Sequence, residues 1–182
     1  RDYKHVKSNF HRKNGFLYCE GVSLEDLCTE YGTPAYIYSR DQIEKNFRSY
    51  QSALSNQSNL ICYSVKANSN LAILNLLVKL GSGFDIVSEG ELARVLEAGG
   101  DPSKIVYSGV GKTHRELRAA LLAGIRCFNI ESEGEMASLA SIALDLGRVA
   151  PISIRVNPNV DTETHPYITT GTKQDKFGVP LE

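Results

Sequence analysis

Leu60-Ile61-Cys62-Tyr63-Ser64-Val65-Lys66-Ala67-Asn68 is an apolar, strand-like run that ends in one lysine, just before a polar turn that opens a helix. Its pattern predicts a strand over 60–65 with Lys66 at the tip. Apolar surroundings favour the neutral form of an amine, and a neutral amine can attack a carbonyl to form a Schiff base. The plainer reading of the same residue is a lysine that closes a strand and keeps its head in water. The neighbouring sequence decides between the two.

Outward from this run the chain alternates short β-branched stretches with longer helical ones. Strands are predicted over 60–65, 83–87, 104–107, 126–130 and 151–156, and helices over 71–80, 89–98, 113–123 and 133–146. An earlier helix carries Ile43, Phe47, Tyr50 and Leu54 on one face. Gly99, Gly124 and Gly147 stand where the helices stop, and Thr113 and Ser132 stand where two of them start, Ser132 with Glu135 as capping-box partner. Strands that alternate with helices of this length imply βαβ units around a parallel sheet, an α/β fold. Polar residues gather where each strand ends: Lys66 and Asn68, Asp85 and Ser88, Ser108 and Gly109, Asn129 and Glu131, Arg155 and Asn157. In parallel α/β folds that rim carries the site. Five strands that deliver functional groups to one rim suit a (β/α)8 barrel better than an open sheet, although a doubly wound sheet is also compatible with the pattern.

The first residues break the rhythm. Residues 15–20 and 33–38 read as strands with a short helix, 23–31, between them, so 1–38 is expected to contribute to a second, β-rich domain and 39–182 to be a partial barrel. Val179-Pro180 reads as the start of a further helix. Five βα units cannot close an eight-stranded barrel, so the sequence is expected to be one segment of a longer protein.

Composition narrows the possible functions. A hydrophobic content of 42% in 182 residues supports a sizeable core. Twenty basic and twenty-one acidic side chains leave a net charge of −1, with no basic cluster to meet a run of phosphates, so nucleic acid is not an expected partner. No apolar run is long enough to span a bilayer and residues 1–12 are charged, so a membrane is not expected either, and the expected location is the cytoplasm. The four cysteines lack CxxC spacing, which suggests neither a metal site nor a disulfide framework.

Several stretches in order carry a family likeness: Tyr63 to Asn68, Gly83 to Leu92, Tyr107 to Lys112, Arg155 to Pro158, and His165 to Gly171 with Lys176 to Gly178. Together they make the chain resemble the diaminopimelate decarboxylases, among the fold-type III pyridoxal phosphate enzymes. The first two also occur in ornithine and arginine decarboxylases. The resemblance implies an alanine-racemase-like (β/α)8 barrel with a β domain, a homodimer with shared active sites, and decarboxylation of meso-2,6-diaminopimelate to L-lysine. Other readings are a decarboxylase of ornithine, arginine or carboxynorspermidine, or a non-catalytic pyridoxal phosphate carrier.

By the resemblance, Lys66 binds pyridoxal 5′-phosphate covalently and later serves as a proton donor. Asp85 is implied to lie near the cofactor, with a helix cap or an ion pair as its structural alternative. Arg155 is implied beneath the cofactor ring, and an Asp85–Arg155 bridge would reconcile these roles. Ser88 and Ser108 are candidates to hydrogen-bond the cofactor, though each also suits a helix cap. The long connection 159–176 is implied to cover the site, with Tyr167 and Ile168 near the substrate. The family's stacking histidine and glycine-rich phosphate loop are not among these residues.

Overall fold

The structure is a computed structural model that describes residues 9–157 and 178–180. By its internal contacts the chain divides into two compact units, Arg1–Asn59 and Leu60–Glu182.

In the first unit, β1 (Phe10–Lys13), β2 (Phe16–Cys19) and β3 (Val22–Ser23) form an antiparallel sheet, followed by α1 (Leu24–Tyr31) and α2 (Arg40–Ala53). Ser23 and Ser39 cap the two helices. Ser39 is buried; its hydroxyl accepts from the Gln42 N–H and donates to Glu20 Oε1 at 2.7 Å. The strand expected over 15–20 is β2, but 33–38 is not a strand. Pro34 removes a donor there, and Tyr36 and Tyr38 stand exposed, so among the described residues the apolar alternation that suggests a strand has no buried face behind it. β1 carries His11, Arg12 and Lys13 in succession and is exposed throughout, so it lacks the apolar alternation that marks a strand in sequence.

The second unit is a parallel sheet in the order β4 (Cys62–Ser64), β5 (Gly83–Ile86), β6 (Ile105–Tyr107), β7 (Cys127–Ile130), β8 (Ile152–Ile154). The strands are joined by α3 (Leu71–Lys79), α4 (Glu89–Glu97), α5 (His114–Ala123) and α6 (Glu133–Asp145). Each predicted strand and helix of the βα rhythm is present, with ends moved by a residue or two. α5 has a full capping box between Thr113 and Glu116, and it stops at Gly124 in the left-handed conformation.

Register sorts the strand residues into two faces, because side chains alternate along a strand and paired residues share a side. Phe84, Ile86, Ile105, Tyr107, Phe128 and Ile130 fall on one side and are buried almost completely. Leu74, Val95, Leu117 and Ile142 from the helices are equally buried, and together these residues form the core. Ser64, Asp85, Val106, Cys127, Asn129 and Ser153 fall on the other side. At the amino end of this second face there is no room for a side chain at Gly83, where a Cβ would meet Lys104 O at 2.6 Å and Cys62 Sγ at 2.8 Å.

Beyond β8 the backbone continues as β9 (Val156–Asn157), which pairs in parallel with β10 (Val179–Pro180). The expected helix start at Val179-Pro180 is therefore a strand. The Val179 N–H donates to the Arg155 carbonyl at 2.7 Å, and this sheet bond outweighs the helix-start preference of Pro180.

Candidate active site

The lysine-bearing run is shorter as a strand than its sequence suggests. β4 ends at Ser64, and Val65–Ala67 form a 3-10 turn. Val65 is fully buried and anchors this turn, while Lys66 is exposed. The apolar surroundings expected for Lys66 are thus not supplied by the described residues. The turn is held by its neighbours: the Tyr63 hydroxyl donates to the Asn68 carbonyl at 3.2 Å, Arg94 donates to the Ser69 carbonyl at 3.3 Å, and Asn70 caps α3. Lys66 therefore projects from a fixed backbone at the carboxyl end of the sheet.

Next to it along the rim, Asp85 accepts from the Ser108 hydroxyl at 2.5 Å through Oδ1 and from the Ser64 hydroxyl at 3.4 Å through Oδ2. Asn129 Nδ2 donates to Ser108 Oγ at 2.8 Å. Four adjacent strands thus share one string of polar contacts, Asn129 to Ser108 to Asp85 and Ser64 to Asp85. Cys62, on the same face, has its thiol pKa raised, first by burial and then by the negative charge of Asp85, with Arg126 opposing. A raised value disfavours the reactive thiolate. Ser88 takes the structural role that the sequence allowed: it caps α4, accepting from the Glu91 N–H at 3.2 Å.

A second cluster stands over β6 to β8. Among the described residues Arg155 forms an ion pair with Glu131, at 2.9 Å, whereas Asp85 is held by hydroxyls. Glu131 also accepts from the Gly109 N–H at 3.1 Å and the Gly178 N–H at 3.0 Å. Behind it, Lys112 and Glu135 form an almost fully buried ion pair at 2.6 Å. Lys112 Nζ donates further to the Gly109 and Asn129 carbonyls, and lies 5.6 Å from the centre of the Tyr107 ring. The capping box expected at Ser132 is half formed. The Ser132 hydroxyl accepts from the Glu135 N–H, but the Glu135 carboxylate turns to Lys112 and to the Glu131 N–H instead. A buried charge needs an opposite charge more than a helix start needs a second cap.

Ser108, Asn129, Glu131, Ser153 and Arg155 line a cavity of about 350 Å³ on this polar face. That is room for a small organic molecule. Of the residues singled out in the sequence, Asp85, Ser108 and Arg155 stand on one rim with the turn that carries Lys66. Tyr167 and Ile168 lie outside the described residues. The sequence placed Asn129 and Glu131 on the rim without a task, and it left Lys112 inside a motif. The available signal was alternation: a polar residue at every second position of an otherwise apolar strand marks the face opposite the core.

Comparison with known proteins finds likenesses in both sequence and fold. The chain is 53% identical to the diaminopimelate decarboxylase of Pseudomonas aeruginosa over 95% of its own length and 42% of the relative's. The crystal structure of diaminopimelate decarboxylase from Helicobacter pylori complexed with L-lysine superposes with a TM-score of 0.83 at 50% identity, covering 86% of this chain and 40% of that one. The enzyme from M. jannaschii in co-complex with L-lysine superposes with a TM-score of 0.87 at 38% identity, covering 94% and 41%. The chain thus spans about two fifths of the length of these relatives. The parallel sheet is part of a (β/α)8 barrel, as the strand rhythm predicts. Residues 40–182 match the family described as pyridoxal-dependent decarboxylase, pyridoxal binding domain, and to that family the chain belongs.

Proposed function

We propose that this chain is the lysine-bearing portion of a diaminopimelate decarboxylase, a carboxy-lyase that converts meso-2,6-diaminopimelate to L-lysine and carbon dioxide. The observation that carries the reading is an exposed amine, Lys66, on a pinned turn at the rim of a pyridoxal-binding barrel, beside a face of acid, hydroxyl, amide and guanidinium groups. Relatives that share half of the residues are named for this reaction, which supports the choice of substrate.

The donor set suits pyridoxal 5′-phosphate. Lys66 offers the primary amine that condenses with an aldehyde. Asp85, Ser108 and Arg155 offer an acceptor, a hydroxyl and a permanent cation to the polar edge of a ring. When bound, the cofactor supplies an electron sink for the pair left on carbon as carbon dioxide departs. Asp85, with both oxygens engaged by hydroxyls, presents a fixed negative charge on the polar face. Ser88 contributes by fixing the start of α4 next to β5. Tyr167 and Ile168 belong to the span proposed to face the substrate. The resemblance also supports a homodimer with shared active sites. The free cysteines Cys19, Cys28, Cys62 and Cys127 suit a reducing cytoplasm.

The test is borohydride reduction of the full-length, cofactor-loaded protein followed by peptide mapping. A pyridoxyl group on Lys66 is expected, and Lys66→Ala should abolish both the label and turnover of meso-2,6-diaminopimelate. Label on another lysine, or retained turnover, overturns the assignment. Carbon dioxide released from ornithine but not from diaminopimelate overturns the substrate.

A further inference from the structure

We propose that Glu131 is a positioning residue for cofactor retention: it fixes the guanidinium of Arg155 at the rim cavity. The proposal rests on the reading of the Lys66 rim as a pyridoxal phosphate site. The Glu131 side chain is 1% exposed, while that of Arg155 is 41% exposed. The acid is sealed and its cation faces outward. A carboxylate at that depth without a cation is strongly unfavourable, so Arg155 cannot swing away without stranding it. Glu131 is itself held from two other parts of the chain, by the N–H groups of Gly109 and Gly178. Both glycines have positive φ, 96° and 81°, a backbone that other residues rarely adopt. A Cβ on Gly178 would also come within 3.0 Å of the Arg155 carbonyl. One carboxylate therefore gathers the segment after β6, the end of β8 and the start of β10 around the arginine that lines the cavity. Glu131 and Arg155 both line the cavity, and the proposed effect of the acid passes through the arginine that it holds.

The experiment is a double-mutant cycle in the full-length enzyme with pyridoxal 5′-phosphate as the probe. Its dissociation constant is read from visible absorbance, and unfolding midpoints are recorded beside it. Glu131→Gln keeps the shape and loses the charge. It should weaken cofactor binding about tenfold, the scale of a lost hydrogen bond to a charged group. In an Arg155→Ala background the same change should add less than about twofold, because the two act as one unit. The KM for meso-2,6-diaminopimelate at saturating cofactor should move by less than about twofold. An unchanged cofactor constant with a lowered unfolding midpoint would reduce Glu131 to a structural residue and overturn the proposal. An equal tenfold loss in both backgrounds would overturn it too. If Glu131→Gln does not fold, Glu131→Asp, which retains the charge but withdraws it by one methylene, enters the same cycle with the same criteria. Borohydride labelling of Lys66 in the wild type tests the underlying reading separately.

Discussion

Asp85 and Glu131 are two acids on one rim, two strands apart, and they are satisfied in different ways. Asp85 takes its hydrogen bonds from the hydroxyls of Ser64 and Ser108, while Glu131 takes its own from a guanidinium and two backbone N–H groups. Hydroxyls can rotate and can be shared with a ligand. Backbone amides cannot be moved without moving the chain, and a buried carboxylate cannot give up its cation without cost. The Asp85 side of the rim is thus built to offer a charge, and the Glu131 side is built to hold a shape. The pair Lys112–Glu135, sealed behind Glu131, belongs to the second half.

That contrast can be broken by measuring stability. The largest effect is expected for Lys112→Met, which strands Glu135 in the interior and should cost about 3–5 kcal/mol in urea unfolding of the full-length protein. A loss below about 1 kcal/mol would mean that the shape-holding half is not held by its charges. Ser108→Ala removes one hydroxyl from the Asp85 side and should cost about 1 kcal/mol. A loss as large as that of Lys112→Met would erase the distinction. The smallest change is expected at Glu116, a third acid fed by neutral groups. Its pKa is lowered from 4.5, first by the Thr113 backbone N–H, against a smaller opposing effect of burial, with help from the Thr113 hydroxyl and the Glu89 N–H. A lowered carboxylate adds stability that is present above the ordinary value and is lost as pH falls through the folded value. The wild type should therefore exceed Glu116→Gln in stability at neutral pH, and the gap should close in acid. A gap that widens below pH 4.5 would contradict the assignment.

How much of this was legible depended on whether the signal was local. Strand and helix alternation from Leu60 onward could be read because periodicity and glycine stops are local. The cap at Thr113 was read for the same reason. The strand-like look of 33–38 misled because alternation specifies a strand only where a partner and a buried face exist, and among the described residues Pro34 and the exposed Tyr36 and Tyr38 have no such face. Val179-Pro180 misled in the opposite sense. A helix-start signature was overridden by a partner strand more than twenty residues upstream. At the site, Lys66, Asp85, Ser108 and Arg155 could be placed on one rim by counting strand ends. Which acid meets Arg155 could not, since Asp85 and Glu131 both end strands and register decides between them. The task of Glu135 was likewise unreadable, because a cap and an ion pair compete for one carboxylate and only depth settles the contest.

The parallel pairing of β9 with β10 has a consequence for how such a chain can vary. Residues 157 and 178 bound a connection whose two ends are fastened within the same patch of backbone, through the Val179 N–H and the Gly178 N–H. The arginine and its acid are thereby tied to a pairing of backbone with backbone, which substitutions of the side chains along β9 and β10 leave in register.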